Sequence, residues 1–114
     1  MEKIVKQGLL YDFYGELLTA HQKQIYEQLV YDDMSLSEIA DEAGITRQGV
    51  HDLIRRCDKI LQDYEDKLHL MERFMKAKEA ISDIQIKCTE YREQQDSTLI
   101  DEIEAISIKL LEEL

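Results

Sequence analysis

Apolar residues recur along this chain at intervals of three and four, separated by short polar stretches, and that spacing predicts helices rather than strands. Leu10, Phe13, Tyr14, Leu17 and Leu18 form the first stripe and predict a helix from about Lys3 to Leu18. Thr19 followed by Gln22 is the reciprocal capping pattern, and it opens a second helix that buries Ile25, Leu29 and Val30. "YDDMS" ends that helix, because Asp and Ser side chains compete for backbone hydrogen bonds and favour turns. Ser35 and Glu38 repeat the opening signal for a third helix with Leu36, Ile39, Ala40 and Ala43 inward. Gly44 stops it where the chain must turn left-handed, and Thr46 caps the next helix.

The next pattern is the longest. Ile54, Cys57, Leu61, Tyr64, Leu68, Met71 and Met75 alternate spacings of three and four residues, a heptad-like seam. It fits one continuous helix, and it equally fits a bend near "LHLME". Ser82 to Gln95 lacks a stripe and reads as a fraying helix or a linker. After Asp96 and Ser97, the residues Leu99, Ile103, Ile106 and Leu110, widened by Ile100 and Leu114, predict a last helix. With no proline and four glycines, little in the chain would interrupt these helices, so the expected fold is all-α. Two parts are expected: a helix-turn-helix domain over residues 1–66 and a C-terminal helical region over 67–114 available for oligomerisation.

Inside the first part, Ser35 to Arg56, "SLSEIADEAGITRQGVHDLIRR", meets several demands of a helix-turn-helix together. The helices must cross closely, and Ala40 is small. The turn wants glycine, and Gly44 stands there. Val50 can anchor the second helix on the first, with Ile39, Ala43, Ile45 and Leu53 completing a small core. Arg47, Gln48, His51, Asp52 and Arg55 are then left on the outward face, which a recognition helix turns to the major groove. Arg can grip guanine and Gln adenine, or either can hold phosphate. Arg56 and Lys59 are phosphate candidates, with Lys23 a weaker one. The bland account of the same cations is a solvated face neutralised by Asp52, Asp58 and Glu27. Asp52 is awkward for DNA, since its carboxylate repels phosphate and can pair with Arg55 or Arg56. Gly49, costing about 1 kcal/mol of helix stability relative to alanine, reads as close backbone approach or as a small residue against a neighbouring helix.

Charge weakens the case for DNA. The formal net charge is −11, divided as −3 over residues 1–34, −1 over 35–61 and −7 over 62–114. A single copy neutralising about four phosphates would show a log–log salt slope of only about −3 to −4. A homodimer through the C-terminal helices would raise affinity for double-stranded DNA by avidity.

Other chemistry is thin. Cys57 lies on the seam as a packed thiol, and two cysteines suit a reduced compartment better than a disulfide framework. His21, His51 and His69 share no ligand spacing with the cysteines, and Glu65 with His69 alone is not a metal site. Tyr11, Tyr14 and Tyr64 suit a core better than a stacking platform. With no phosphate loop, nucleophile elbow or acid/base pair, the expectation is a non-enzyme needing neither cofactor nor metal. The N-terminus lacks the features of a secretory signal and no apolar run could span a bilayer, which predicts a cytoplasmic protein with no membrane partner.

The stretch "LTAHQKQIYEQLVYDDMSLSEIADEAGITRQGVHDLIRRCDKIL", Leu18 to Leu61, resembles region 4 of bacterial sigma-70 factors. Shared features are the Leu-Thr…Gln opening, the Ser…Glu-Ile-Ala helix, the Gly-Ile-Thr turn and the Val-centred recognition helix. Together with "LLYDFYGELLTAHQ" and the continuation to "YEDKL", the chain resembles the small YlxM-type proteins of Gram-positive bacteria, whose genes adjoin that of the signal recognition particle GTPase. That resemblance implies a sigma-region-4-like fold and a regulatory role in the signal recognition particle pathway. It opens a second reading: an interaction module for that GTPase or its RNA, without DNA binding. Binding to RNA polymerase is a third, weaker one.

Overall fold

The computed structural model describes residues 1–114 as six α-helices without a strand. α1 (Lys3–Tyr14) tightens into a 3-10 turn, Gly15–Leu17, and is followed by α2 (Ala20–Val30), α3 (Leu36–Ala43), α4 (Arg47–Leu68), α5 (Leu70–Gln94) and α6 (Thr98–Glu113). They gather into two compact units, Met1–Met71 and Glu72–Leu114.

The first unit is built on α4, against which α1, α2 and α3 each pack. Val50, Ile54, Cys57 and Leu61 form its buried stripe, joined by Leu10, Tyr14, Leu18, Ile25, Tyr26, Ile39 and Ala40. The caps form as the sequence requires. Thr19 Oγ1 accepts from the Gln22 backbone at 3.2 Å, and Gln22 returns a bond to Thr19 N–H at 3.0 Å. Ser35 and Glu38 do the same at 3.1 and 3.0 Å. These pairs satisfy N–H groups that a helix start otherwise leaves without partners.

One expectation is corrected and two alternatives left open by the sequence are decided. α1 stops at Tyr14 rather than Leu18, and the tighter 3-10 turn swings Leu17 into solvent, 55% exposed, while Leu18 stays buried. The long seam is interrupted at His69, whose left-handed backbone (φ 57°) ends α4 and leaves Leu68 exposed. The cause is a polar anchor: buried Glu65 accepts from the Tyr14 hydroxyl at 2.6 Å and from Met71 N–H at 2.8 Å. Tyr14 in turn accepts from Leu70 N–H at 3.1 Å, so the opening donors of α5 are satisfied across the break. Residues 82–94 are helical, not a linker, and belong to α5.

Carboxylates also serve three other tyrosines. Tyr11 donates to Glu27 at 2.5 Å and Tyr26 to Asp58 at 2.6 Å; Tyr31 donates to Asp12. Gln7 adds a second donor to Asp58 at 3.0 Å. Part of the carboxylate complement thus serves to anchor phenols, with its charge retained.

In the second unit, α6 folds back along α5. Leu99 is buried, Ile84, Cys88, Ile103, Ile106 and Leu110 are half-buried, and Lys87 bonds Glu102 across the pair at 3.0 Å. Asp96 orders the connection by accepting from Thr98 N–H at 3.0 Å and from its hydroxyl at 2.8 Å.

Candidate nucleic-acid interface

Gly44 sets the α3–α4 angle. Its backbone is left-handed (φ 71°, ψ 28°), a region that costs other residues steric strain. Its N–H and that of Ile45 both bond Ala40 C=O, at 3.0 and 3.2 Å. Of the expected motif core, Ile39, Ala40 and Val50 are buried and Leu53 is half-buried against them. Ala43 and Ile45 are exposed instead. The left-handed turn carries the chain past the crossing, so burial there is finished by Ile39, Ala40 and Val50.

Thr46 Oγ1 caps α4 by accepting from Gly49 N–H at 2.9 Å. A Cβ on Gly49 would lie 3.1 Å from that same hydroxyl. The small residue therefore makes room for the helix's own cap, not for a neighbouring helix.

Arg47, Gln48, His51, Arg55, Arg56 and Lys59 are all exposed on α4. Arg47, Gln48 and His51 line a shallow recess beside Leu36 of α3. Arg55, Arg56 and Lys59 line another with Asp52. A third joins Arg56, Gly49 and Asp52 to Thr19, His21 and Gln22 at the start of α2. The sequence did not assign His21 and Gln22 to this face; only the packing of α2 on α4 brings them there.

The electrostatics differ from the bland account. Asp58 and Glu27 accept from Tyr26, Gln7 and Tyr11 and form no ion pair with the cations. Asp52 accepts from Gln48 Nε2 at 3.0 Å and has His51 Nδ1 at 3.7 Å; it does not pair with Arg55 or Arg56. Arg47, Arg55 and Arg56 form no salt bridge within the chain, whereas Lys59 lies 3.4 Å from Asp63 and Lys23 lies 2.8 Å from Glu16. Behind the face, burial and then Asp58 push the Cys57 thiol up to about 11. That thiol stays protonated, as a packing group and not a nucleophile.

A short capped helix, a left-handed glycine turn and a longer helix bearing cations on its outer face define a helix-turn-helix protein. The chain belongs to the UPF0122 family, described as "Putative helix-turn-helix protein, YlxM / p13 like", which matches residues 1–103. It is 36% identical over 107 residues to the UPF0122 protein YlxM of Bacillus subtilis, covering 93% of this chain and 97% of that protein. A UPF0122 protein of Bacillus pumilus is 40% identical over 114 residues, covering 100% of this chain and 97% of the relative. One from Streptococcus thermophilus is 39% identical over 107 residues, covering 94% and 93% respectively. No helix is long and apolar enough to cross a membrane.

Proposed function

We propose that this protein is a cytoplasmic helix-turn-helix regulator that binds double-stranded DNA by laying α4 in the major groove. The observation that carries the reading is the set of arginines, Arg47, Arg55 and Arg56, exposed on the outer face of α4 without intramolecular ion pairs. Arg47, Gln48, His51 and Arg55 are assigned to base edges or nearby phosphates, and Arg56 and Lys59 to phosphates. The first unit supplies recognition, and the second joins two copies, which offsets the weak grip of one acidic chain. The resemblance to YlxM-type proteins connects this regulation to the signal recognition particle pathway.

Fluorescence anisotropy with duplexes from the chain's own operon tests the reading. Binding at low salt that weakens at least tenfold in Arg47→Ala and Arg55→Ala supports it. No binding, or binding indifferent to both substitutions, rejects it.

A second reading is favoured by one observation: Glu72, Glu79, Asp83 and Glu90 recur on α5 at spacings that place them along one side of the helix. Such a stripe suits a basic protein surface, and the signal recognition particle GTPase is the partner the resemblance suggests. Co-purification that survives Arg47→Ala but fails on neutralising the stripe would select this reading.

A further inference from the structure

α1 and α4, both in the first unit, run side by side in the same direction. Gln7 donates to Asp58 at 3.0 Å and Tyr14 to Glu65 at 2.6 Å, and each pair is 51 positions apart. A constant difference between partners, rather than a constant sum, marks parallel helices in fixed register. The first turn of α1 is therefore level with residues 54–57 of α4, where Arg55 and Arg56 stand. Lys3 lies one turn before Gln7 on the same side of α1, and Lys6 lies about 60° around the helix from Lys3.

The edge of α4 that α1 flanks also carries candidate DNA contacts. Gln7 holds Asp58, and helical period puts His51 about 20° and Arg55 about 60° around the axis from that residue. Lys3, Lys6, His51 and Arg55 are all exposed. Neither lysine enters an ion pair. The nearby carboxylates are Glu2, exposed just before the helix, and Asp58, which also accepts from Tyr26. Lys3, Lys6 and Arg55 outweigh them, so this edge is positive in a chain whose net charge is −11.

We propose that the first turn of α1 is a second element of the DNA contact, with Lys3 and Lys6 holding phosphates of the strand that borders α4 on its His51–Arg55 edge. The inference rests on the DNA reading above and deepens it by adding contacts outside the helix-turn-helix. Packed helices lie about 8–10 Å apart, and the major groove is about 12 Å wide. With α4 in the groove, a helix flanking it at that distance stands over the rim, where the phosphates are. Lysine suits this place, because its compact charge on a flexible stem grips phosphate without reading bases. Two further phosphate contacts steepen the log–log salt slope by about 2.

Anisotropy titrations of the full chain over a range of salt test this, using a duplex from its own operon and one of unrelated sequence. Circular dichroism confirms that each variant is folded. Lys3→Ala combined with Lys6→Ala should weaken binding to both duplexes alike, by about tenfold at low salt, and make the slope shallower by about 2. Lys67→Ala combined with Lys109→Ala removes the same charge elsewhere and should leave the slope unchanged. An unaltered slope in the first pair, an equal loss in the second, or a loss confined to the operon duplex would each overturn the assignment. Any of these can occur while Arg47→Ala and Arg55→Ala still weaken binding, so the failure is separate from that of the DNA reading. A wild type that binds neither duplex would overturn both.

Discussion

Tyr14 and Glu65, 51 positions apart, meet in a buried hydrogen bond of 2.6 Å that ties α1 to the last turn of α4. The same carboxylate accepts from Met71 N–H at 2.8 Å, so one side chain holds both the core and the start of α5. Glu65→Ala would orphan a buried hydroxyl and a backbone donor together. We expect a loss of about 2–4 kcal/mol, with Tyr14→Phe costing about 1 kcal/mol. Urea unfolding of both variants checks this; a Glu65→Ala midpoint matching the wild type would mean the pair contributes nothing.

That pair also marks where sequence reading ends. Caps and turns are local, so Thr19 with Gln22, Ser35 with Glu38 and left-handed Gly44 were all readable from neighbours within a few positions. The bend near "LHLME" was readable only as one of two alternatives, because what selects it lies on α1. The heptad spacing through Leu68 and Met71 is equally good for a straight helix, and only Tyr14 decides against it. The tyrosine–carboxylate pairs escaped for the same reason: Asp58 and Glu27 read as surface acids until Tyr26 and Tyr11 are placed beside them. On the candidate interface, the outward face of α4 followed from helical period alone. The arrival of His21 and Gln22 required the packing of α2.

Buried phenols predict a base-induced transition. Burial first, and then the neighbouring carboxylate, raises Tyr11, Tyr14 and Tyr26 above their ordinary value of 10.0. Cys57 rises from 9.0 to about 11. Above these ordinary values the folded chain holds more protons than the unfolded one, so stability falls as pH rises. The contribution is intact below pH 9, begins to be lost between 9 and 10, and declines further above 10. Thermal melts from pH 7 to 11 should show this fall, and tyrosinate absorbance for the buried phenols should appear only with unfolding. Free titration of all six tyrosines near 10 in the folded protein would contradict it.

The recognition geometry depends on the turn. Gly44→Ala places a Cβ in a left-handed backbone (φ 71°), at a cost of about 1–2 kcal/mol. Ser35→Ala removes a cap whose oxygen accepts at 3.1 Å, worth about 1 kcal/mol. Chemical denaturation should rank them in that order. Gly44→Ala should also weaken DNA binding beyond its effect on the folded fraction, since it alone alters the angle between α3 and α4. Equal binding by the two variants, corrected for stability, would show that the angle does not matter.

Asp52 offers the sharpest test of which way α4 faces. Its carboxylate stands among Arg55, Arg56 and Lys59 and accepts from Gln48 at 3.0 Å. Asparagine preserves an acceptor for Gln48 while removing the charge. If this face meets phosphates, Asp52→Asn relieves a repulsion of about 1 kcal/mol or less, as for other exposed charges. Affinity for non-specific duplex should then rise up to about fivefold at low salt, and the gain should shrink as salt screens it. The outcome separates the two functions, because a basic partner held by the acidic stripe of α5 would be indifferent to the same substitution. Anisotropy titrations at two salt concentrations decide it: unchanged DNA affinity at both would remove α4's outer face from the duplex.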